Sequence, residues 1–574
     1  MKRWYAALLV AAGIATIAGP ALHSQISRPQ LIGFDVVEAS IPDMQRAMEL
    51  GRVTSKELVL QSMARIAVYK DLLNPTIALN GHAAEEAELL DIERAQGRVR
   101  GPLHGIPIAL KDNIFTMNMP TSGGALAFRG YAPPYEATLV TSLRAAGAVI
   151  VAKTAMTELA NWVTNGMPGN YSAVNGWTMN PYDYRRDPRT GLDGFGIPFN
   201  DGRPVMNVAG SSSGVGTAAS LWAANVGTET SGSVLSPSNQ NMLVGIKPTV
   251  GRISRWGIIP ITADQDTAGP MTRSVTDAAI MLGALESGNP DPHDPATTTC
   301  VPPPGNDYTR FLRLTGLRGA RIGIPRANYY ESTPIPGGST NTGGLNAAQR
   351  AVVEEAIGVL RAQGAIVVDP ANIPSVVDGT PSNSLLLFGT CAGFKASDTN
   401  CSTVFKYGFK RDFNALLATL GPGAPVKTLT ELRAFNAANV PQNAVRYRQD
   451  LLDTSDEMNL VTDLARYTAD RAKDIYVAAT HGIGEAMDVN KLDALLFPGS
   501  GSAGIGAKAG FPTVIVPFGK IPNAPNPALP AGFNAADQPY GVSFTSTACN
   551  EPRLIEIAFA FEQATKRRVP PKLP

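Results

Sequence analysis

Charged residues, histidine and cysteine are all sparse in this 574-residue chain. Lys and Arg number 49 against 48 Asp and Glu, so the formal net charge is +1 and no basic field is present to attract nucleic acid. The five His and four Cys form neither a CxxC pair nor a Cys/His cluster, so the sequence predicts no metal site. With 44% hydrophobic and 17% charged residues, the composition is typical of a globular protein.

Long apolar runs are also missing, apart from a short one at the start. Lys2 and Arg3 precede an uncharged apolar stretch at 6–18, and small or turn-forming residues follow at 19–21. This layout predicts a signal peptide over residues 1–24, cleaved between Ala21 and Ser24, and therefore an exported protein, periplasmic or secreted. The run is short for a membrane span, so no stable span is expected after cleavage. An uncleaved N-terminal anchor is the less favoured alternative.

The four cysteines have to be interpreted with export in mind, because disulfides form outside the cytosol. Cys391 and Cys401 are close in sequence and could close a small loop. A disulfide and a pair of buried free thiols are equally favoured there. For Cys300 and Cys549 the expectation is a buried free thiol.

The middle of the chain alternates between short apolar strands and amphipathic helices, with no internal repeat and no low-complexity tract. The pattern predicts one large α/β/α domain, with a mostly parallel mixed sheet covered by helices on both faces and a mainly helical insertion. The clearest predicted strands are 106–110, 148–152, 320–324, 365–369, 494–497 and 513–516, and the clearest helices are 83–96, 137–146, 214–225, 345–363 and 551–566. Residues 165–206 are rich in Asn, Gly, Pro and Tyr and predict a long ordered loop.

Three segments could carry chemistry. In 105–113 a lysine, Lys111, directly follows an apolar strand, and burial there would lower its pKa enough to make it a base. In 209–214 three serines lie in a glycine-flanked turn before a helix. In 227–233 small residues crowd a turn that could expose a row of backbone N–H groups beside Ser233. Taken singly, Lys111 is better explained as a solvent-reaching lysine and the serine turn as a helix N-cap.

Together the three segments resemble the amidase-signature family. Gly105–Asn113 resembles its G-x-P-x-x-x-K-D-N, the Ser211 segment its G-G-S-S-G-G, and Ser233 ends a segment similar to G-T-(D/E)-x-G-G-S. Further blocks also match, in the family's order: 136–140, 153–158, 245–249, 266–271, 509–512 and 516–517. The likeness covers roughly 50–290 and 485–570, and in 206–285 it is most similar to bacterial peptide-amidase-like members.

This resemblance implies a catalytic triad of Lys111, Ser211 and Ser233. Ser233 would be the nucleophile, Ser211 the bridging serine and neutral Lys111 the terminal base, with the backbone N–H groups of residues 230–233 (Thr230, Ser231, Gly232 and Ser233) as the oxyanion hole. Ser212 would support the loop by hydrogen bonding, and it is also the alternative for the bridging role. The reaction implied is hydrolysis of a carboxylic amide through an acyl-enzyme on Ser233. Neither a metal nor an organic cofactor is implied.

The same reasoning divides the chain into five parts. These are a signal peptide (1–24), N-terminal helices packed on the core (25–100), the amidase-signature core (101–290), a variable and mainly helical substrate-side region (291–484), and the C-terminal part of the core (485–574). The partner is expected to be a small-molecule or peptide amide. Aryl or alkyl amides and carbamates remain candidate substrates.

Two rival functions are less favoured. Gly210–Gly214 also spells G-x-S-x-G around Ser212, which would suit an α/β-hydrolase esterase. Its triad needs a later histidine, and only His293 and His481 follow. A solute-binding protein without turnover could use the same loops, but binding does not require a complete set of one lysine and two serines.

Overall fold

The computed structural model describes residues 33–208 and 214–574. The predicted signal peptide over 1–24, Ser211 and Ser212 lie outside the described residues. The likeness to the family can therefore be examined over almost the whole chain, but not at the bridging serine.

One eleven-stranded sheet organises the described chain, in the order β1-β3-β2-β6-β8-β7-β14-β15-β13-β9-β12. Two short two-stranded ribbons, β4-β5 and β10-β11, stand apart from it. The strands are β1 (Thr76–Leu79), β2 (Pro107–Lys111), β3 (Val149–Thr154), β4 (Tyr171–Ser172), β5 (Gly176–Trp177), β6 (Ala224–Glu229), β7 (Val244–Lys247), β8 (Thr267–Thr272), β9 (Arg321–Gly323), β10 (Thr333–Pro334), β11 (Asn341–Thr342), β12 (Ile366–Val368), β13 (Ala494–Pro498), β14 (Thr513–Ile521) and β15 (Gln538–Thr545).

The predicted mixed α/β sheet is confirmed, with a smaller parallel share than expected. Among the described pairs, β3-β2, β2-β6, β13-β9 and β9-β12 are parallel, while β1-β3 and the five pairs from β6 through to β13 are antiparallel. The central strands are buried along their length, which is why they read as continuous apolar runs and suggested parallel pairing.

Helices pack against this sheet, with α7 on β8, α9 and α17 on β14, and α2 and α3 on β3. A capping box formed by Thr54 and Glu57 begins α2. The helices are α1 (Ile41–Glu49), α2 (Ser55–Leu73), α3 (Ala83–Ala95), α4 (Thr138–Ala145), α5 (Val215–Ala218), α6 (Leu235–Gln240), α7 (Val275–Leu285), α8 (Arg326–Tyr329), α9 (Ala347–Ala362), α10 (Pro374–Val377), α11 (Val404–Thr419), α12 (Leu429–Ala438), α13 (Asp450–Asp456), α14 (Leu464–Ile475), a π-helix (Tyr476–Ile483), α15 (Gly484–Asn490), α16 (Ala503–Ala509) and α17 (Glu551–Thr565).

The predicted helix over 214–225 is wrong beyond its first turn. Only α5 is helical, and the chain turns at Ser220 with a positive φ before β6 begins. Trp222 fixes this turn, since its buried indole donates to the Thr217 hydroxyl at 2.9 Å. The small residues that suggested a helix instead allow a tight entry into a strand next to β2.

Both pairs of cysteines are disulfide-bonded. Cys391–Cys401 closes the small loop considered from the sequence. Cys300–Cys549 was not predicted, and it links the segment after α7 to the loop that leads into α17. The expectation of free thiols at Cys300 and Cys549 is therefore wrong, because two residues 249 positions apart come together only in the folded sheet.

The region from 291 to 484 is mainly helical, as expected, and also adds β9 and β12 to the edge of the main sheet. Its helices α11, α12 and α13 pack on one another beside the start of the loop at 160–166. Among the described helices, none combines the length and the apolarity needed to cross a bilayer.

Candidate active site

The loop between β6 and α6, residues 230–234, is called the Ser233 loop. Lys111 and this loop lie at one edge of the sheet because β2 and β6 are parallel neighbours. Leu110 pairs with Val226, so both strands point the same way and end together. Lys111 is the last residue of β2, and β6 ends at Glu229, four residues before Ser233. The topology thus brings together two predicted site residues that are 122 positions apart in the sequence.

The Lys111 ammonium group is fully buried at the end of β2. Nζ donates to the Thr228 hydroxyl at 2.7 Å and to the Thr228 carbonyl at 3.0 Å. Asn113 donates to the same hydroxyl at 3.1 Å. Burial lowers the Lys111 pKa well below its usual range, and the negative charges of Asp266 and Glu229 partly oppose that shift. Lys111 can therefore be a neutral base near physiological pH.

Burial alone does not single out Lys111. Lys153 and Lys247 are also fully buried, and burial lowers the pKa of each to about 8. Lys153 lies 3.5 Å from the Asp112 carboxylate, and Lys247 donates to the Phe511 carbonyl at 2.7 Å. Lys111 differs from both in its neighbours, because it contacts the strand that leads directly into the Ser233 loop.

Glu229 binds the C-terminal end of the Ser233 loop. Its carboxylate accepts the backbone N–H groups of Val234 at 2.7 Å and Leu235 at 2.9 Å, at the start of α6. A carboxylate at a helix N-terminus satisfies donors that have no partner within the helix. The loop between β6 and α6 is consequently fixed at both ends, with Ser233 next to the bonded Val234.

Asp266 and Gln265 bind the start of the same loop, at Thr230. The Thr230 hydroxyl donates to the Asp266 carboxylate, and Gln265 donates to the Thr230 carbonyl at 3.2 Å. Asp266 also accepts the backbone N–H of Ile261 at 2.9 Å, and burial raises its pKa to about 7. Thr230, the first residue of the predicted oxyanion hole, is thereby held from the loop at 261–266.

The four predicted oxyanion residues line a cavity that we call the Ser233 cavity. Ser233 is buried to 9% exposure, Gly232 has a φ of 98° that favours glycine, and Ser231 is exposed. The cavity has a volume of about 220 Å³. Its other walls come from 160–162, 164–166, Ser236, Ile261, Phe405 and Leu451. Ser211 and Ser212 lie outside the described residues, but Val208 and Gly214 on either side are both buried.

A second cavity, which we call the apolar cavity, adjoins the first. It has a volume of about 240 Å³ and shares Ala160, Thr230 and Ile261 with the Ser233 cavity. Asn113 and Thr228 also line it, so it reaches the environment of Lys111. The rest of its lining comes from Arg255–Ile261, Ala263, Asp266, Thr267, His293, Asp294 and the α11 residues Asp412, Ala415, Leu416 and Thr419.

Ala160 lies in a strained turn on the wall shared by both cavities. Leu159, Ala160 and Asn161 have consecutive positive φ values of 44°, 56° and 72°. Leucine and alanine rarely adopt this conformation, at a cost of about 1–2 kcal/mol each. The Leu159 N–H bonds to the Gly123 carbonyl at 2.8 Å and Trp162 packs on Phe405, which together hold the turn against the cleft.

The sequence located the substrate side only in part. The region after 290 contributes Leu451 and residues of α11 to the cavity walls, whereas the predicted loop at 165–206 contributes Asn165 and Gly166. The loop at 255–263 was missed, since nothing in its sequence marks it as a cavity wall. Asn113 and Asp266 were inside recognised blocks, and their polar character next to strand ends was the available signal.

Several large aromatic side chains and the two histidines that follow the serine turn lie at different places relative to the cavities. Of Trp162, Trp177, Tyr171, Phe388 and Phe394, only Trp162 lines the Ser233 cavity. His481 bonds to the carboxylates of Glu485 at 2.7 Å and Asp378 at 3.1 Å, an arrangement that gives it no described contact with a serine. His293 stacks on Trp256 at the rim of the apolar cavity.

Comparison with known proteins identifies the family of this chain. The profile of the family described as Amidase matches residues 57–191 and 193–555. A protein of Arabidopsis thaliana described as a probable amidase is 33% identical over 94% of this chain and 92% of its own. The peptide amidase of Stenotrophomonas maltophilia has a TM-score of 0.76 at 36% identity, covering 93% of this chain and 98% of that one. Peptide amidase PAM in complex with chymostatin has a TM-score of 0.78 at 35% identity, covering 94% and 100%.

These matches decide against both rival functions, the α/β-hydrolase esterase and the binding protein without turnover. The fold, the arrangement at the sheet edge and the family profile agree over most of the chain. The chain therefore belongs to the Amidase family and is a hydrolase that cleaves carboxylic amide C–N bonds.

Proposed function

We propose that Ser233 is the nucleophile, Ser211 the bridging serine and Lys111 the terminal base of this amidase. Ser233 Oγ attacks the amide carbonyl carbon while its proton passes to Ser211, which gives its own proton to neutral Lys111. The same route returns a proton to the leaving nitrogen when the C–N bond breaks. Water then hydrolyses the acyl-enzyme to a carboxylate.

The backbone N–H groups of residues 230–233 are proposed to bind the oxyanion. Three features support this role: Glu229 and Asp266 hold the loop from opposite sides, Gly232 has a positive φ, and the four residues line one cavity. Donors fixed before the reaction stabilise developing charge without reorganisation. Ser212 is proposed to support the loop that carries Ser211.

The buried Lys111 is the observation that carries the proposal. Its lowered pKa makes it a base, and its contact with Thr228 places it on the strand that enters the Ser233 loop. A lysine reaching solvent from the same strand end would have neither property.

Peptide amides are the proposed substrate class, acted on outside the cytosol. The solved relatives that share about a third of the sequence are described as peptide amidases, and they align over nearly the whole chain. The basic and apolar residues of 1–24 support export. We propose accordingly that the mature enzyme starts after residue 24 and acts in the periplasm or the medium.

The test is Ser233→Ala, assayed by ammonia release from N-acetyl amino acid amides. We expect loss of nearly all turnover with an unchanged circular dichroism spectrum and melting temperature, because Ser233 makes its contribution in the reaction. Ser236→Ala is the matched control, since Ser236 lines the same cavity and has no proposed role in proton transfer or in oxyanion binding.

A serine-reactive fluorophosphonate should label Ser233 in the wild type, and mass spectrometry should find the label on that residue. His481→Ala should stay active. Substantial turnover by pure Ser233→Ala would show that another group is the nucleophile.

A further inference from the structure

The apolar cavity differs in character from the Ser233 cavity beside it. Its wall next to Thr230 is made of Ile258, Ile259 and Ile261, all less than a tenth exposed. Across from them one face of α11 presents Asp412, Ala415, Leu416 and Thr419, at the three- and four-residue spacing of a helix face. Desolvation of an apolar group would be favourable here.

Aromatic rings define one end of the cavity. His293 stacks on Trp256 at 4.4 Å, and Trp256 stacks on Tyr135 at 5.0 Å. The Tyr135 hydroxyl lies 2.6 Å from the hydroxyl of Thr419, which ties the ring column to α11. These two stacking contacts fix the Trp256 ring in the wall of the cavity.

The charges of the lining disfavour an acidic ligand. Of the described lysines and arginines, Arg255 lines this cavity, and its guanidinium donates a hydrogen bond to the Asp294 carboxylate at 2.8 Å. Asp266 and Asp412 also line this cavity, and the Asp412 carboxylate is paired with Arg411 at 2.6 Å. A ligand carboxylate would lose its hydration and meet like charges, without a cation ready to receive it.

The apolar cavity is also adjacent to the reacting groups. It shares Thr230 and Ile261 with the Ser233 cavity and contacts Thr228, the partner of Lys111. A group bound there would lie directly beside the scissile amide.

We propose that the apolar cavity binds an uncharged apolar side chain or acyl chain of the amide substrate and discriminates against acidic ones. This inference rests on the proposed function, because it assigns specificity to the same site.

The experiment compares kcat/KM for the N-acetyl amides of alanine, leucine, phenylalanine and glutamate. We expect the leucine and phenylalanine amides to exceed the alanine amide by about tenfold or more, and the glutamate amide to fall about tenfold below it. Equal values across the series would overturn the proposal.

Two alanines on α11 give a matched pair of variants. Ala415 is exposed and lines the cavity, whereas Ala418 is exposed and does not. Ala415→Trp should reduce kcat/KM for the leucine and phenylalanine amides to the value for the alanine amide. Ala418→Trp should keep the wild-type ratios within about twofold. Equal losses in both variants would overturn the proposal.

Labelling by fluorophosphonates separates this inference from the proposed function. Ser233 labelling that accelerates about threefold per added methylene of the probe, and loses that dependence in Ala415→Trp, supports the cavity even where an amide is a poor substrate. Chain-length-independent labelling of Ser233 would overturn the cavity proposal while leaving the nucleophile intact. Labelling at a residue other than Ser233 would instead count against the proposed function.

Discussion

Replacing Glu229 by glutamine tests how the Ser233 loop is held and how Lys111 is tuned. The Glu229 side chain is 1% exposed, and one of its oxygens accepts the N–H groups of both Val234 and Leu235. Its negative charge also raises the pKa of Lys111 against the larger effect of burial. Glutamine has nearly the same shape and can still accept with its one carbonyl oxygen, but it lacks the charge.

The size of the effect follows from those two hydrogen bonds. A bond to a charged acceptor contributes about 1.5–3 kcal/mol and one to a neutral acceptor about 0.5–1.5 kcal/mol, so two bonds lose about 2–3 kcal/mol together. If that loss appears in the position of Ser233, kcat falls by about 30- to 150-fold, because 1.36 kcal/mol corresponds to tenfold. Since one opposing charge is gone, the Lys111 pKa falls further, and the acid limb of the pH–rate profile moves to lower pH.

The assay is kcat for a neutral N-acetyl amino acid amide between about pH 5 and pH 9, beside the free energy of unfolding in urea. Glu562→Gln is the control, because Glu562 likewise accepts a backbone N–H at a helix start, from Val275 at 2.8 Å, and lines neither cavity. We expect the control to lose stability without moving the pH profile. A Glu229→Gln enzyme with unchanged kcat and an unmoved acid limb would refute the reasoning.

Two further predictions follow from burial and connectivity. Activity should fall toward acid pH as Lys111 gains a proton. Asp266→Asn should shift the acid limb of the pH–rate profile to lower pH, because the charged Asp266 carboxylate raises the Lys111 pKa. An acid limb that stays in place in this variant would assign the titration to another group. A disulfide lowers the conformational entropy of the unfolded chain and so stabilises the folded state. The expected stabilisation is about 5 kcal/mol for Cys300–Cys549, whose cysteines are 249 residues apart, and about 3 kcal/mol for Cys391–Cys401, which are 10 apart. Paired Cys→Ser variants measured by urea unfolding should therefore show the larger loss for the first pair, and the reverse order would contradict the entropic account.

The sequence was a good guide to elements whose signals are local. Strand β2, strand β3 and helix α17 were predicted within a residue or two, since each depends on a local apolar run or a helical apolar pattern. Pairing direction was less predictable, because a strand buried on both faces is apolar whether its neighbours run parallel or antiparallel. The Cys300–Cys549 bond could not be predicted either, because it joins residues 249 positions apart that meet only in the folded chain.

The site shows the same division. Lys111 and Ser233 were predicted to act together from their family context, and parallel pairing of β2 with β6 places them at one sheet edge. The support from Asp266, Gln265 and the loop at 255–263 could not be predicted, because these contacts depend on how β8 and its preceding loop fold back onto Thr230. The bridging role of Ser211 stays a prediction.

The order of strands in the main sheet has a consequence for how the chain reaches its folded state. Lys247 at the end of β7 pairs with Thr513 of β14, and β9 pairs with β13, so the middle of the sheet is filled by the last strands to be synthesised. Until those strands arrive, β7 and β9 each present an open edge, which delays cooperative folding and favours pairing with other chains. A nascent chain of this topology therefore needs protection from aggregation until β13, β14 and β15 have been synthesised.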